Sequence, residues 1–183
     1  MKITILNGEP DSASSFDAYV HEVATRMATS GHDVETIELR DLDIKGCSGC
    51  WGCWAKTPGE CVKRDDTGQA CRAIVHSDLV VLASPMVMGF TSALLKRMGD
   101  QLIPLVHPYG QLEGGEMHHR PRYEHYSLMG LLLGAGPDTD AEDIEITQKM
   151  WSRTARNLKT RLAFTSVSDR PAKEVAHEFA TVA

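Results

Sequence analysis

Hydrophobic residues follow two alternating patterns along the chain. Short runs rich in Ile, Val and Leu are separated by longer segments in which apolar residues return every three or four positions, the periods of a strand and a helix. The runs Ile3–Leu6, Val34–Leu39, Asp78–Ser84, Ser127–Gly134 and Arg161–Val167 predict five strands. The third and fourth are almost unbroken apolar runs, as expected of strands buried on both faces of a parallel sheet. Helical periodicity covers Phe16–Thr29, with Tyr19, Val20, Val23 and Met27 on one side, and Thr67–His76, with Ala70 and Ile74. It continues over Ser92–Ile103 and over Asp140–Leu158, where Ile144, Ile146, Met150, Trp151 and Leu158 form the apolar side. A last short helix is expected over Pro171–Thr181, with the proline in its first turn.

Strand and helix alternating five times predicts an α/β, flavodoxin-like three-layer sandwich. Its five-stranded parallel sheet should have the order 2-1-3-4-5, because parallel neighbours require right-handed helical crossovers. The 183 residues fit one such domain. Ligands of these sheets bind beyond the carboxyl ends of the strands, which directs attention to the loops after the first, third and fourth strands. The segment 104–126 carries Pro108, Gly110, Gly114, Gly115 and Pro121 with little periodicity, and reads as a long irregular excursion with a functional or interfacial role.

Composition narrows the picture without changing it. A 42% hydrophobic and 24% charged chain is ordinary for a globular domain, and its formal charge of −6 argues against a nucleic-acid surface. Runs such as Leu79–Ser84 and Leu128–Leu133 are far shorter than the ~20 residues that span a bilayer, so no membrane partner is expected. With a strand-like start and no signal-peptide pattern, the expected compartment is the cytoplasm. Four of the five cysteines fall within 15 residues, which in a reducing compartment points to metal, cluster or redox chemistry rather than cross-links.

Three segments carry candidate chemistry. The first loop, Asn7-Gly8-Glu9-Pro10-Asp11-Ser12-Ala13-Ser14-Ser15, offers hydroxyls and free amides at a helix start. Such a start suits the phosphate of a mononucleotide at Ser12, Ser14 and Ser15, although the same serines would also serve as plain helix caps. No glycine fingerprint for a dinucleotide and no Walker lysine is present. The third strand ends in Ser84-Pro85-Met86-Val87-Met88-Gly89, a soft, backbone-lined shelf that suits a flat heterocycle and equally suits a simple strand-to-helix turn. The loop 46–62 contains Cys47-Ser48-Gly49-Cys50-Trp51-Gly52-Cys53 and then Cys61. Two successive C-x2-C steps let three thiolates converge, and a fourth could complete a [4Fe-4S] cluster; a four-thiolate zinc site and unligated thiols share this spacing. Cys71 falls in a helix interior and reads as a small buried hydrophobe, while His107, His118, His119 and His125 read as solvated or interfacial.

The order Asn7-Gly8-x-Pro10, cysteine loop, Asp65-Asp66, Ser84-Pro85, then Lys96 with Asp100 resembles the iron–sulfur flavoproteins of the NADPH-dependent FMN reductase family, over roughly the first 100 residues. That resemblance implies a flavodoxin-like dimer or tetramer with FMN at the sheet's carboxyl edge. By it, Cys47, Cys50, Cys53 and Cys61 would ligate a [4Fe-4S] cluster, Ser12–Ser15 would hold the FMN phosphate, and Pro85, Met86, Val87, Met88 and Gly89 would support the ring. The chain departs from the family pattern at Glu9 and Asp11, where Ser and Arg are common, at Val87, where an aromatic is common, and at Gln101, where Arg is common. The expected activity is a flavin-dependent oxidoreductase, with ferredoxin, a nicotinamide such as NAD(P)H, or a quinone as redox partner, and with no acid or base required from the chain. A cluster-free FMN or quinone reductase and a non-enzymatic redox or zinc sensor are the competing readings.

Overall fold

The two unbroken apolar runs take the middle of the sheet, where neither face sees water. In chain order the elements are β1 (Lys2–Asn7), α1 (Ser15–Thr29), β2 (Asp33–Glu38), α2 (Gly52–Ala55), α3 (Thr67–Val75), β3 (Leu79–Val87), β4 (Phe90–Thr91), α4 (Ala93–Asp100), β5 (Val106–Glu113), β6 (Glu116–Pro121), β7 (Leu128–Gly134), α5 (Ala141–Asn157), β8 (Leu162–Val167) and α6 (Ala172–Thr181), in a computed structural model that describes residues 1–181. Five strands run parallel in the order β2-β1-β3-β7-β8, the expected 2-1-3-4-5 arrangement. The two-residue β4 is added antiparallel to the end of β3.

Each face of the sheet has its own core. On one side Val80, Leu82, Leu131 and Leu133 pack with Ile74 of α3, Leu95 and Met98 of α4, and Trp151 of α5. On the other, Ile3, Ile5, Val81 and Leu132 pack with Val20, Val23 and Met27 of α1 and with Val175 and Phe179 of α6. Burying side chains of this size is worth roughly 1.5–3 kcal/mol each, and the alternation of side chains along β3 feeds both cores at once. Gly130 of β7 faces Phe164 of β8, whose ring would lie 1.9 Å from a Cβ at that position. The missing side chain therefore lets Phe164 lie against the sheet and stack on Phe179 at 3.9 Å.

Helix boundaries follow local chemistry. Ser14 caps α1 by accepting from the Asp17 N–H, Ser92 caps α4 by accepting from the Leu95 N–H, and Asp140 and Asp143 form a reciprocal capping box on α5. Helix α4 stops at Asp100, short of the expected Ile103, and Gln101 and Leu102 turn into a 3-10 turn over Ile103–Leu105. Ile146, expected on the buried side of α5, is 51% exposed; the stripe that enters the core is Thr147, Trp151 and Ala155.

Two expectations need correction. Strand β3 does not end at Ser84 but continues through Val87, then turns back over Met88 and Gly89 so that Met86 pairs with Thr91 and Val87 with Phe90. The segment 104–126 is not irregular: β5 and β6 form an antiparallel hairpin around Gly114 and Gly115, both at positive φ. Its inward face escaped the apolar pattern because it is polar. Glu113 and Glu116 meet Lys159, Arg153 and Arg156 near the end of α5, at 2.7, 2.8 and 3.3 Å.

Candidate functional site

The first loop leaves β1 at Asn7 and is stitched directly to the end of β3. The Gly8 N–H donates to the Ala83 carbonyl at 2.8 Å, and the Ser92 hydroxyl donates to the Gly8 carbonyl at 2.6 Å. Its two acidic residues are used internally. Glu9, only 5% exposed, accepts from the Asp11 N–H at 2.9 Å, and Asp11 accepts from the Ala13 N–H at 2.9 Å. The Ser14 hydroxyl is engaged as the cap of α1, while Ser12 and Ser15 are exposed at the same helix start. The first N–H groups of a helix have no intrahelical partner, so Ser15 and Phe16 present amide donors and partial positive charge beside those hydroxyls. That arrangement fits a phosphate despite the neighbouring carboxylates.

Behind the loop lies a charge network that sequence reasoning missed. The Asn7 amide donates to Asp17 at 2.7 Å and to Glu38 at 2.8 Å. The Arg40 guanidinium reaches Asp17 at 2.7 Å, Glu38 at 2.8 Å and the Glu9 carbonyl at 3.1 Å. His21 completes the group, 3.3 Å from Glu38. Burial pushes the Glu38 carboxyl up despite Arg40, His21 and Asn7. For Arg40, burial pulls the guanidinium down, but the hydrogen bond to Asp17 and the Glu38 charge outweigh it and leave it raised. These residues come from β1, α1, β2 and the 3-10 turn Leu39–Asp41 that follows it, with no common sequence spacing, so no motif announces them.

The shelf at the end of β3 is a tight hairpin. Met88 and Gly89 both adopt positive φ, 51° and 75°, a turn geometry that suits strand pairing but strains a residue with a side chain. Gly89 packs on α5: its carbonyl accepts from Thr147, and a Cβ there would meet Asp143 Oδ1 at 2.5 Å. Met86 is buried and Pro85 half-buried, whereas Val87 and Met88 are 51% and 99% exposed. The hairpin thus presents two apolar side chains to solvent at the end of β3.

Cys47, Cys50, Cys53 and Cys61 line one cavity of 80 Å³, together with Trp51, Val62, Gln101 and Pro104. The loop is clasped at its base by Asp65 and Asp66, which accept from the N–H groups of Lys45 at 3.1 Å and Asp43 at 2.8 Å. Burial alone would raise Asp65, but hydrogen bonds from Thr67 and Lys45 hold it below the usual carboxylate range. Gln101 donates to the Lys45 carbonyl, so the glutamine that departs from the family pattern ties α4 to the cysteine loop. Trp54 anchors the far side, donating to the Val106 carbonyl at 2.9 Å and stacking on Trp51 at 4.9 Å. Gly49 lies at φ +64°, and Gly52 is closed over by Val62, whose Cγ1 would stand 2.4 Å from a Cβ.

The donor set is chemically suited to a cluster. The Cys50 thiol is lowered by the Gly52 N–H first and then by Ser48. Cys53 is raised by burial first and then by its neighbours Cys61, Cys47 and Cys50. Among the described residues no three of these sulfur atoms lie within 4.8 Å of one another. Cys71 sits outside this cavity, buried in α3, and burial pushes its thiol up to about 12. His118, read as solvated or interfacial, is buried and hydrogen-bonded to Glu116 at 3.1 Å, while His119 lies against Trp54 at 4.9 Å.

A five-stranded parallel sheet in the order β2-β1-β3-β7-β8, with helices packed on both faces, defines a flavodoxin-like fold. The chain belongs to the NADPH-dependent FMN reductase family, whose profile matches residues 1–121. An iron-sulfur flavoprotein of Archaeoglobus fulgidus is 33% identical over 107 residues, 58% of this chain and 48% of that protein. One from Methanocaldococcus jannaschii is 31% identical over 105 residues, covering 57% and 53%. The chain therefore spans about half the length of the curated relatives it matches. Among solved structures, a flavone reductase superposes with a TM-score of 0.66 at 15% identity, covering 100% of this chain and 64% of that one. The NAD(P)H:quinone oxidoreductase of Methanothermobacter marburgensis gives 0.62 at 16% identity, covering 100% and 97%. At such identities these two establish the fold. Among the described residues no helix is long and apolar enough to cross a membrane.

Proposed function

We propose that the protein is an FMN-dependent oxidoreductase that passes electrons between FMN and a [4Fe-4S] cluster held by Cys47, Cys50, Cys53 and Cys61. The observation that carries the reading is the convergence of these four cysteines, and not Cys71, on one cavity. Two curated relatives called iron-sulfur flavoproteins support it. The flavin supplies two-electron chemistry and the cluster single-electron steps. The chain's own part is to bind and orient. The amides of Ser15 and Phe16 and the hydroxyls of Ser12 and Ser15 hold the phosphate, Ser14 fixes the helix start, and Pro85–Gly89 support the ring. Trp51, Val62, Ile103 and Pro104 supply the apolar part of the lining of the cysteine cavity. A nicotinamide, a ferredoxin or a quinone is the redox partner class, and the protein works as a homodimer or homotetramer.

The test is anaerobic reconstitution with iron and sulfide, comparing Cys53→Ala with Cys71→Ala. Cys71→Ala should keep four irons per chain and the wild-type reduced-state spectrum, whereas Cys53→Ala should lose both. Wild type that takes up no cluster, or loss in Cys71→Ala with retention in Cys53→Ala, overturns the ligand assignment.

A further inference from the structure

A second and larger cavity, of 510 Å³, adjoins the cysteine loop on the outer side of α3, and neither Ser12–Ser15 nor Pro85–Gly89 contributes to it. Its size falls within the ~300–1,000 Å³ typical of small-molecule sites. Cys61 and Pro104 line both this cavity and the four-cysteine one. Apolar wall comes from Val75, Leu105 and Tyr123. Burial raises the Tyr123 phenol despite Arg122 nearby, so it stays a neutral donor.

The charge on the wall is cationic in a chain of net charge −6. Arg72 and Arg122 both line the cavity, and among the described residues neither forms an ion pair. Arg122 is fixed by donating from Nε to the Pro104 carbonyl at 2.8 Å and from Nη2 to the Val106 carbonyl at 3.3 Å. Its Nη1 lies 3.8 Å from the Cβ position of Gly59, a wall residue at φ +95°. Arg72 folds back along α3, its Nη1 3.2 Å from the Cβ position of Gly68 one turn earlier. Glu60 is the carboxylate that also lines the cavity, and it is exposed at the rim.

We propose that this cavity binds a flat aromatic anion, a ring system bearing one carboxylate or sulfonate, beside Cys61. The apolar wall takes the ring, and the planar guanidinium groups of Arg72 and Arg122 take the anionic group through charge-assisted hydrogen bonds. Quinone sulfonates are the matching redox-active class. Their role as electron acceptors rests on the cluster reading above, since an occupant would then touch a cluster ligand; binding itself does not.

The test uses anthraquinone-2-sulfonate as ligand, titrated calorimetrically into the full chain with iron and flavin content measured on the same sample. One saturable site is expected, present whether or not iron is bound, so its presence is separable from the success of cluster assembly. Saturating FMN should leave it intact. Arg72→Ala should weaken binding at least about tenfold; Arg72 is exposed on α3 and alanine favours helix, so the fold is retained. Glu60→Gln should tighten it. Absence of saturable binding, displacement by FMN, or an unchanged affinity in Arg72→Ala overturns the proposal.

Discussion

At Gly52 a single methyl group decides whether the cysteine loop can close. A Cβ there would meet Val62 Cγ1 at 2.4 Å, a separation that real Cβ atoms do not tolerate; the β-branched Val62 has little χ1 freedom with which to escape, and at 36% exposure it lies outside the domain's core. The clash would therefore open the loop rather than unfold the domain. Gly52→Ala should at least halve the iron bound after anaerobic reconstitution, with Tm lowered by no more than about 2–4 °C. Adding Val62→Ala removes the clashing methyls and should restore the iron; a Gly52→Ala protein that binds iron as wild type does would show that the loop closes some other way. This position was only half legible in the sequence. Three glycines around three cysteines indicate a tight turn, but the residue that presses on Gly52 comes after Cys61, and no spacing rule names it.

At the scale of elements, the carboxyl edge is built where β1, β2, β3 and α1 meet, and two of its joints make predictions. The first is the start of α1. Ser15 sits at the first helical position, so Ser15→Asp adds a negative charge where a phosphate would lie without disturbing the Ser14 cap. FMN affinity should fall tenfold or more while riboflavin affinity stays within about twofold, measured by flavin fluorescence quenching. Equal losses for both flavins would place the phosphate elsewhere. The second joint is Glu38, whose carboxyl is raised by burial. Its folded state holds a proton to higher pH than the unfolded chain does, so stability falls as pH rises from the unfolded value through the folded one. Glu38→Gln keeps an oxygen for Asn7 and Arg40 and removes the buried charge. It should raise Tm at pH 7, and the gain should vanish below about pH 4, where wild type is itself protonated. A variant less stable than wild type at pH 7 would mean that the charge, not the hydrogen-bonding oxygen, holds the joint. The serine loop was readable because helix starts have a residue signature. The Asn7–Asp17–Glu38–Arg40 network was not, because tertiary folding alone brings its members together.

Across the whole molecule, the parallel sheet could be read from hydrophobicity because strands buried on both faces can be little but apolar. The β5–β6 hairpin could not, since its inner face is satisfied by ion pairs near the end of α5 and its outer face is left exposed at Leu112 and Met117. One sequence signal for it existed, the Gly114-Gly115 pair, which suits a two-residue hairpin turn. The outer face is where assembly should occur. Leu112 and Met117 pair across the hairpin at 74% and 70% exposure. His119, two residues from Met117 on the same face, leads on to Trp54 and the 55% exposed Trp51. A contiguous apolar strip of this kind is costly to leave in water and is typical of interfaces. A second copy of the chain is the occupant that the homo-oligomer reading requires, and the strip's continuity with the cysteine loop would bring two redox centres toward one interface. In sedimentation at micromolar concentration, wild type should run at two or four times the 20.1 kDa chain mass. Leu112→Glu with Met117→Glu, both solvent-facing and harmless to the core, should reduce it to a single chain with unchanged Tm at matched low concentration. A monomeric wild type, or an oligomer that survives both glutamates, would remove the hairpin from the assembly.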